Sequence, residues 1–173
     1  EMNYLDAIEG IDLDKKITAI NFFTINTKIS SGKMHGQLGN KKPLGFVTIS
    51  IDGFTGISEI YAATYISMGL KSIFEYLDHS IKGKTIKETS EVLDQLSIPF
   101  VSRNGIFKAC SGSLENAFLD LCAKIQDVPL YKILGTSNSF PKIYASGGSV
   151  ICSKEEIEEE GDQIELLGYE GYK

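Results

Sequence analysis

The sequence is poor in cysteine, and the three present, Cys110, Cys122 and Cys152, are odd in number and widely spaced. No CxxC pair occurs, which argues against a zinc site or a disulfide framework and predicts buried or half-buried thiols in a reducing cytoplasm. Long apolar runs are missing as well: nothing approaches the roughly 18 residues that suggest a membrane span. Positive charge is in deficit. A formal net charge of −6 argues against a nucleic-acid surface, which normally shows a basic patch. The opening stretch, "EMNYLDAIEGIDLDKK", is acidic and lacks the basic start and apolar core of a signal peptide. The first residue is Glu1, and "LLGYEGYK" (166–173) stops where a strand begins, so the expectation is a fragment at both ends.

What is present is the composition of a soluble globular protein, 42% hydrophobic and 23% charged, enough to bury a core. Residues 15–30 are rich in Ile, Phe and Thr and predict a strand. A polar, glycine-bearing loop over 31–43 follows. "LGFVTISI" (44–51) then alternates, with Val47, Ile49 and Ile51 on one face, and Asp52-Gly53 joins it to "FTGISEIY" (54–61). An Asp-Gly pair between two such runs predicts a tight hairpin with positive φ at both central residues. The whole is a three-stranded antiparallel meander.

The period then changes. Ser67 is placed to start a helix with Leu70, Ile73, Phe74 and Leu77 inside. Thr85 and Glu88 have the spacing of a capping box, followed by Val92, Leu93 and Leu96. Leu114, Ala117, Phe118, Leu121, Cys122 and Ile125 make a full apolar helix face over 113–125, with Asp120 and Lys124 as an i,i+4 pair on the other side. From 141 the order is a short strand, "PKIYASGG", a second capping box at Ser153 and Glu156, a helix to Leu167 that buries Ile157, Ile164 and Leu167, a glycine stop at Gly168 and a new strand. The acidic run over 155–162 reads as a solvated helix face, and "GGSVICS", without a GxGxxG pattern, is only a weak anion nest. The domain reading is an acidic leader over 1–16, an α+β domain over 17–140 and, over 141–173, the first β/α unit of a barrel plus the start of its second strand.

Four segments in this order resemble the mandelate racemase/muconate lactonizing enzyme family of the enolase superfamily. "VTISIDGFTGISEIY" resembles its "V-x-T-D-D-G-x-x-G-x-G-E" hairpin, and "SLENAFLDLCAKIQDVPLYKILG" its "IExALWDxxGKxxGxPxxxLLGG" helix. "IYASGG" is similar to its first barrel strand, and "LLGYEGYK" to the run before its K-x-K pair. Two positions depart: Leu119 stands where the family has Trp, and Ser58 where it has Gly. The resemblance covers about 17–173. It implies an α+β N-terminal capping domain, a three-stranded antiparallel meander plus helices, followed by the start of a (β/α) TIM-type barrel.

By the same resemblance, a base removes the proton α to a carboxylate while Mg²⁺ stabilises the enediolate, and the products are those of racemisation, cycloisomerisation or dehydration. The substrate is a small carboxylate such as a 2-hydroxy acid or sugar acid, and family members commonly assemble into homo-oligomers. Lys173 matches the first lysine of K-x-K; the second, and the acidic metal ligands of later strands, fall beyond this sequence, so the chain alone is expected to be inactive. Tyr144 and Ser146 lie on the first barrel strand, Ser146 near the substrate carboxylate or simply a small residue in a glycine-rich turn. Lys33, Met34 and His35 lie in the loop that closes over the barrel mouth, although a lone loop histidine is more often just solvated. Tyr61 to Tyr65 fit either a second lid or the core. Glu59 and Glu115 read as structural, Glu115 early in its helix, and His79 as a surface residue. The competing reading is a non-catalytic capping or binding domain.

Overall fold

The computed structural model describes residues 10–28, 41–96, 105–135, 142–148 and 152–173. These form two compact units. The first holds the described residues of 10–26 and 43–135, and the second those of 142–173 with the strand ends Thr27–Lys28 and Lys41–Lys42.

Three strands, β1 (Ala19–Lys28), β2 (Lys41–Ile51) and β3 (Phe54–Ile60), make one sheet in the order β1-β2-β3. β2 and β3 pair antiparallel from Gly45↔Ile60 to Ile51↔Phe54. The Thr18 amide donates to Ser50 O at 2.8 Å, and Phe23 stacks on Phe46 at 5.7 Å. β1 therefore also runs antiparallel to β2. The hairpin sits at Asp52-Gly53 as the sequence predicts, but only half of the turn chemistry does. Gly53 has φ +78°, whereas Asp52 is not among the described residues with positive φ, so the turn has the sign pattern of type II rather than I′. β2 also begins at Lys41, inside the predicted loop. Pro43 is tolerated there because pairing with β3 starts only at Gly45.

Val47, Ile49 and Ile51 are buried on one face of β2, as their alternation requires. Among the described residues, three helices supply most of the rest of this core. α1 (Ala63–Ile81) buries Leu70, Phe74 and Leu77; it begins before Ser67, with a break in helical geometry at Ile66. In α2 (Ile86–Leu96) the predicted box forms: the Glu88 amide donates to Thr85 Oγ1 at 3.1 Å, and the Thr85 amide to Glu88 Oε2 at 2.8 Å. Of the predicted stripe, Leu93 is buried and Val92 and Leu96 pack partly buried against the core; Ile86, Thr89 and Ser90 are buried beside them. α3 (Gly105–Ile125) begins eight residues before the predicted start and buries Cys110, Leu114, Ala117, Phe118, Leu121 and Cys122. The leader also contributes: Ile11 is buried and Leu13 packs against the core. A short helix, α4 (Leu130–Ile133), follows α3.

The packing of α3 on β3 depends on a glycine. A Cβ placed on Gly56 would lie only 2.0 Å from Ala117 O and 2.5 Å from Leu121 N, so no side chain fits between strand and helix. The two outer strands of the sheet are also tied by carboxylates. The Ile57 amide of β3 donates to Asp120 Oδ2 at 2.8 Å, and the Ile20 amide of β1 to Asp78 Oδ1 at 2.8 Å. Satisfying strand-edge donors in this way limits strand addition from outside. Lys124, paired with Asp120 at 2.7 Å as predicted, also donates to Thr55 O at 3.0 Å.

In the second unit, α5 (Lys154–Leu166) starts with the predicted capping box at Ser153 and Glu156. It ends with Gly168 at φ +77°, the Gly168 amide on Glu165 O and the Tyr169 amide on Ile164 O, the bond pair of a Schellman motif. The predicted burial of its apolar side does not occur. No α5 residue is buried, Ile157 is 38% exposed and Leu167 74%, because this unit offers one parallel bridge rather than a sheet to pack on.

Gly56→Ala is expected to lower stability by about 1–3 kcal/mol, the cost of overpacking a closed contact, read from the urea midpoint. Thr89 Oγ1 is buried without a hydrogen-bond partner. Thr89→Val is therefore expected to raise stability by about 1 kcal/mol, since it removes an unsatisfied hydroxyl at constant shape.

Candidate active site

The chemistry expected of this chain falls in the second unit, where "YASGG" meets the end of the sequence. The Ala145 amide donates to Gly171 O at 2.9 Å, the Lys173 amide to Ala145 O at 3.0 Å, and the Gly147 amide to Lys173 O at 2.9 Å. This is a parallel ladder bridging Ala145 to Tyr172. The strand start at the end of the sequence is therefore paired. Lys173 bonds on either side of Ser146, so the two lie opposite each other.

Side chains alternate across a strand. The register thus places Ser146 and Lys173 side by side on one face, with Tyr144 two residues back on the same face. Tyr144 is 58% exposed, and Ser146 and Lys173 are exposed as well. Ala145 and Tyr172 lie on the opposite face, and it is Tyr172 that meets α5: its hydroxyl donates to Glu160 Oε2 at 2.8 Å. The helix accordingly covers one face and leaves the Tyr144–Ser146–Lys173 face on the other side, the arrangement of a β/α unit.

Glu160 was not singled out by the sequence, which reads 155–162 as one solvated face. Glu155, Glu158, Glu159 and Asp162 are indeed exposed, but Glu160 is half-buried. It also accepts from the Gly148 amide at 3.0 Å, so a donor that an anion nest would offer is already taken by an internal carboxylate. A Cβ on Gly147 would lie only 2.3 Å from Glu160 Oε1. The Tyr172 hydroxyl is held above its ordinary pKa, first by donating to the Glu160 carboxylate and then by desolvation. One signal in the sequence marks Glu160: it stands three residues after Ile157 and four before Ile164, on the apolar stripe.

Lys33, Met34 and His35 lie outside the described residues. Tyr61 and Tyr65 are not core: they are 61% and 63% exposed, edge to face, with hydroxyls 2.9 Å apart. His79 is exposed, as is Glu59. Glu115 is not at a helix start, because α3 begins ten residues earlier; half-buried, its carboxyl is raised by desolvation. No group of three His, Cys, Asp or Glu suited to a metal ion occurs among the described residues, and none of the described helices is long and apolar enough to cross a membrane.

No protein-family model matches the chain. Solved structures do. An enolase from Bradyrhizobium, complexed with magnesium and mandelic acid, is 18% identical with a TM-score of 0.75, over 94% of this chain and 46% of its own. A mandelate racemase/muconate lactonizing protein from Herpetosiphon aurantiacus is 17% identical with a TM-score of 0.70, over 93% and 45%. A mandelate racemase/muconate lactonizing enzyme from Polaromonas is 18% identical with a TM-score of 0.68, over 88% and 42%. The chain thus has the fold of an enolase-type α+β capping domain followed by the start of a β/α barrel, and it spans a little under half the length of these structures.

The cysteines give a test of the packing within the units that hold them. All three thiols are free; Cys110 and Cys122 are buried and Cys152 half-buried. Burial pushes Cys110 from 9.0 up to about 11, and Cys122 up to about 12. The folded state then holds these protons to higher pH than the unfolded chain does. The stability they contribute is full below pH 9.0 and is lost as pH rises toward 11 and 12. Urea midpoints should fall over that window, and less so in Cys122→Ala. In folded protein at neutral pH a thiol reagent should modify Cys152 well before the other two.

Proposed function

We propose that this chain is the N-terminal portion of an enolase-superfamily enzyme of the mandelate racemase/muconate lactonizing type. Residues 17–140 form its capping domain and 141–173 the start of its barrel. The enzyme abstracts the proton α to the carboxylate of a small acid, such as a 2-hydroxy acid or sugar acid. Racemisation, cycloisomerisation or dehydration follows. The observation that carries this reading is the register of 145–147 against 171–173, which sets Ser146 beside Lys173 on the face away from α5. Magnesium and mandelic acid bound to the Bradyrhizobium protein support a divalent cation and a carboxylate ligand.

The described residues do not make a metal site. When bound, Mg²⁺ would neutralise charge on the substrate carboxylate. The chain's own groups act on the substrate and on the base. Ser146 donates a hydrogen bond to the carboxylate in this reading, and Tyr144 lines the same face. Lys173 supplies a fixed positive charge two residues before the base, which favours the neutral amine of that base by like-charge repulsion. Lys33, Met34 and His35 belong to the loop that closes over the substrate and excludes water. The enzyme is cytoplasmic and assembles as a homo-oligomer.

Solvent deuterium exchange at the α-carbon of a 2-hydroxy acid library tests this. A longer protein carrying this chain and a complete barrel should exchange in a Mg²⁺-dependent way, and Lys173→Ala should slow it roughly 100-fold or more. The 173-residue chain alone should show none. Failure of the longer protein on every carboxylate would favour a non-catalytic capping domain instead.

A further inference from the structure

We propose that Glu160 is a positioning residue, a latch on α5 that holds the turn after the first barrel strand and the strand carrying Lys173 in one fixed register. The inference deepens the functional reading above and rests on it for the role of Lys173. It is carried by convergence. One half-buried carboxylate binds two segments that are 24 residues apart in sequence, Gly148 and Tyr172. Both Glu160 bonds are charge-assisted, the stronger class of hydrogen bond. Gly147 has no side chain where the carboxylate passes, since a Cβ there would collide with Glu160 Oε1. Gly148 adopts φ +66°, which turns its amide toward the helix.

The consequence for the opposite face follows from alternation along the strand. Tyr172 is adjacent to Lys173 and points the other way, so pinning the phenol fixes the plane in which the lysine projects. Gly148 is two residues past Ser146, so pinning its amide fixes the turn that holds the serine. A one-residue slip of the 171–173 strand would put Lys173 on the α5 side and Tyr172 beside Ser146. The latch opposes that slip, because only the observed register brings the Tyr172 hydroxyl to Glu160. Besides Glu160, Cys152 is the titratable group that influences the phenol.

Glu160→Ala, Glu160→Gln and Tyr172→Phe test the proposal, each read in two ways. In the 173-residue chain, amide exchange at Gly148 and Lys173 should speed up roughly 10- to 100-fold in Glu160→Ala, the scale of losing a charge-assisted bond. Core amides of α3 should keep their rates. The Tyr172 phenol should titrate lower than in the parent, toward its ordinary value. In the longer enzyme, kcat should fall roughly 10- to 100-fold in Glu160→Ala with KM within about twofold, and Glu160→Gln, which keeps an acceptor, should recover most of it. Unchanged exchange at Lys173 and an unchanged phenol titration would overturn the latch. So would a loss of kcat that Glu160→Gln does not rescue and that comes with faster exchange throughout α3, since that describes general destabilisation. A parent enzyme that exchanges no α-proton would instead overturn the functional reading, and the amide and phenol readouts would still decide on the latch.

Discussion

In both units of this chain, a helix meets the strand region at a glycine. At Gly56 the backbone of α3 occupies the space a Cβ would need; at Gly147 the carboxylate of Glu160 does. Neither contact is a matter of hydrophobic quantity. The first is a steric condition set by backbone, and the second leaves room for the Glu160 carboxylate. Once β3 lies against α3, Asp120 reaches the Ile57 amide and Lys124 reaches Thr55 O. Once Glu160 lies over Gly147, it reaches both the Gly148 amide and the Tyr172 hydroxyl.

The same economy of side chains explains why charged residues hold the outer strands of the sheet. A carboxylate from α1 and another from α3 each accept a strand amide, Asp78 from Ile20 and Asp120 from Ile57. These residues sit on helices whose other faces are buried. Half-buried carboxylates of this kind add modestly to stability. Their larger effect is on specificity, since a satisfied edge is a poor template for another strand.

Much of this was legible in the sequence because it is local. The meander, both capping boxes, the apolar face of α3 and the glycine stop at Gly168 follow from spacing within a few residues. The misreadings have a common physical origin in contacts between segments distant in sequence. Gly105 and Gly112 lower helix propensity over 105–112, yet that stretch is helical and buries Cys110 and Ser111. That extension moves Glu115 from a helix start to its middle. Ile157 and Leu167 look like core residues and are exposed, because burial also needs a surface to bury against. Glu160 hides in an acidic run, and only its partners, 12 residues away on either side, distinguish it from Glu158 and Glu159. Of the candidate site, Tyr144, Ser146 and Lys173 are brought to one face by the ladder, while Lys33, Met34 and His35 lie outside the described residues.

The functional reading then reduces to a question of register. If Lys173 stands opposite Ser146, the chain presents a serine and a lysine together on the side of the strands that α5 leaves open. A shift of one residue would place them on opposite sides and remove the reason for assigning either to a substrate. Backbone nuclear Overhauser contacts in the 173-residue chain decide this directly. Contacts pairing Tyr172 with Ala145 and Lys173 with Ser146, in the parallel sense, are the result expected. Contacts pairing Lys173 with Ala145 or with Gly147, or none between the two segments, would contradict it.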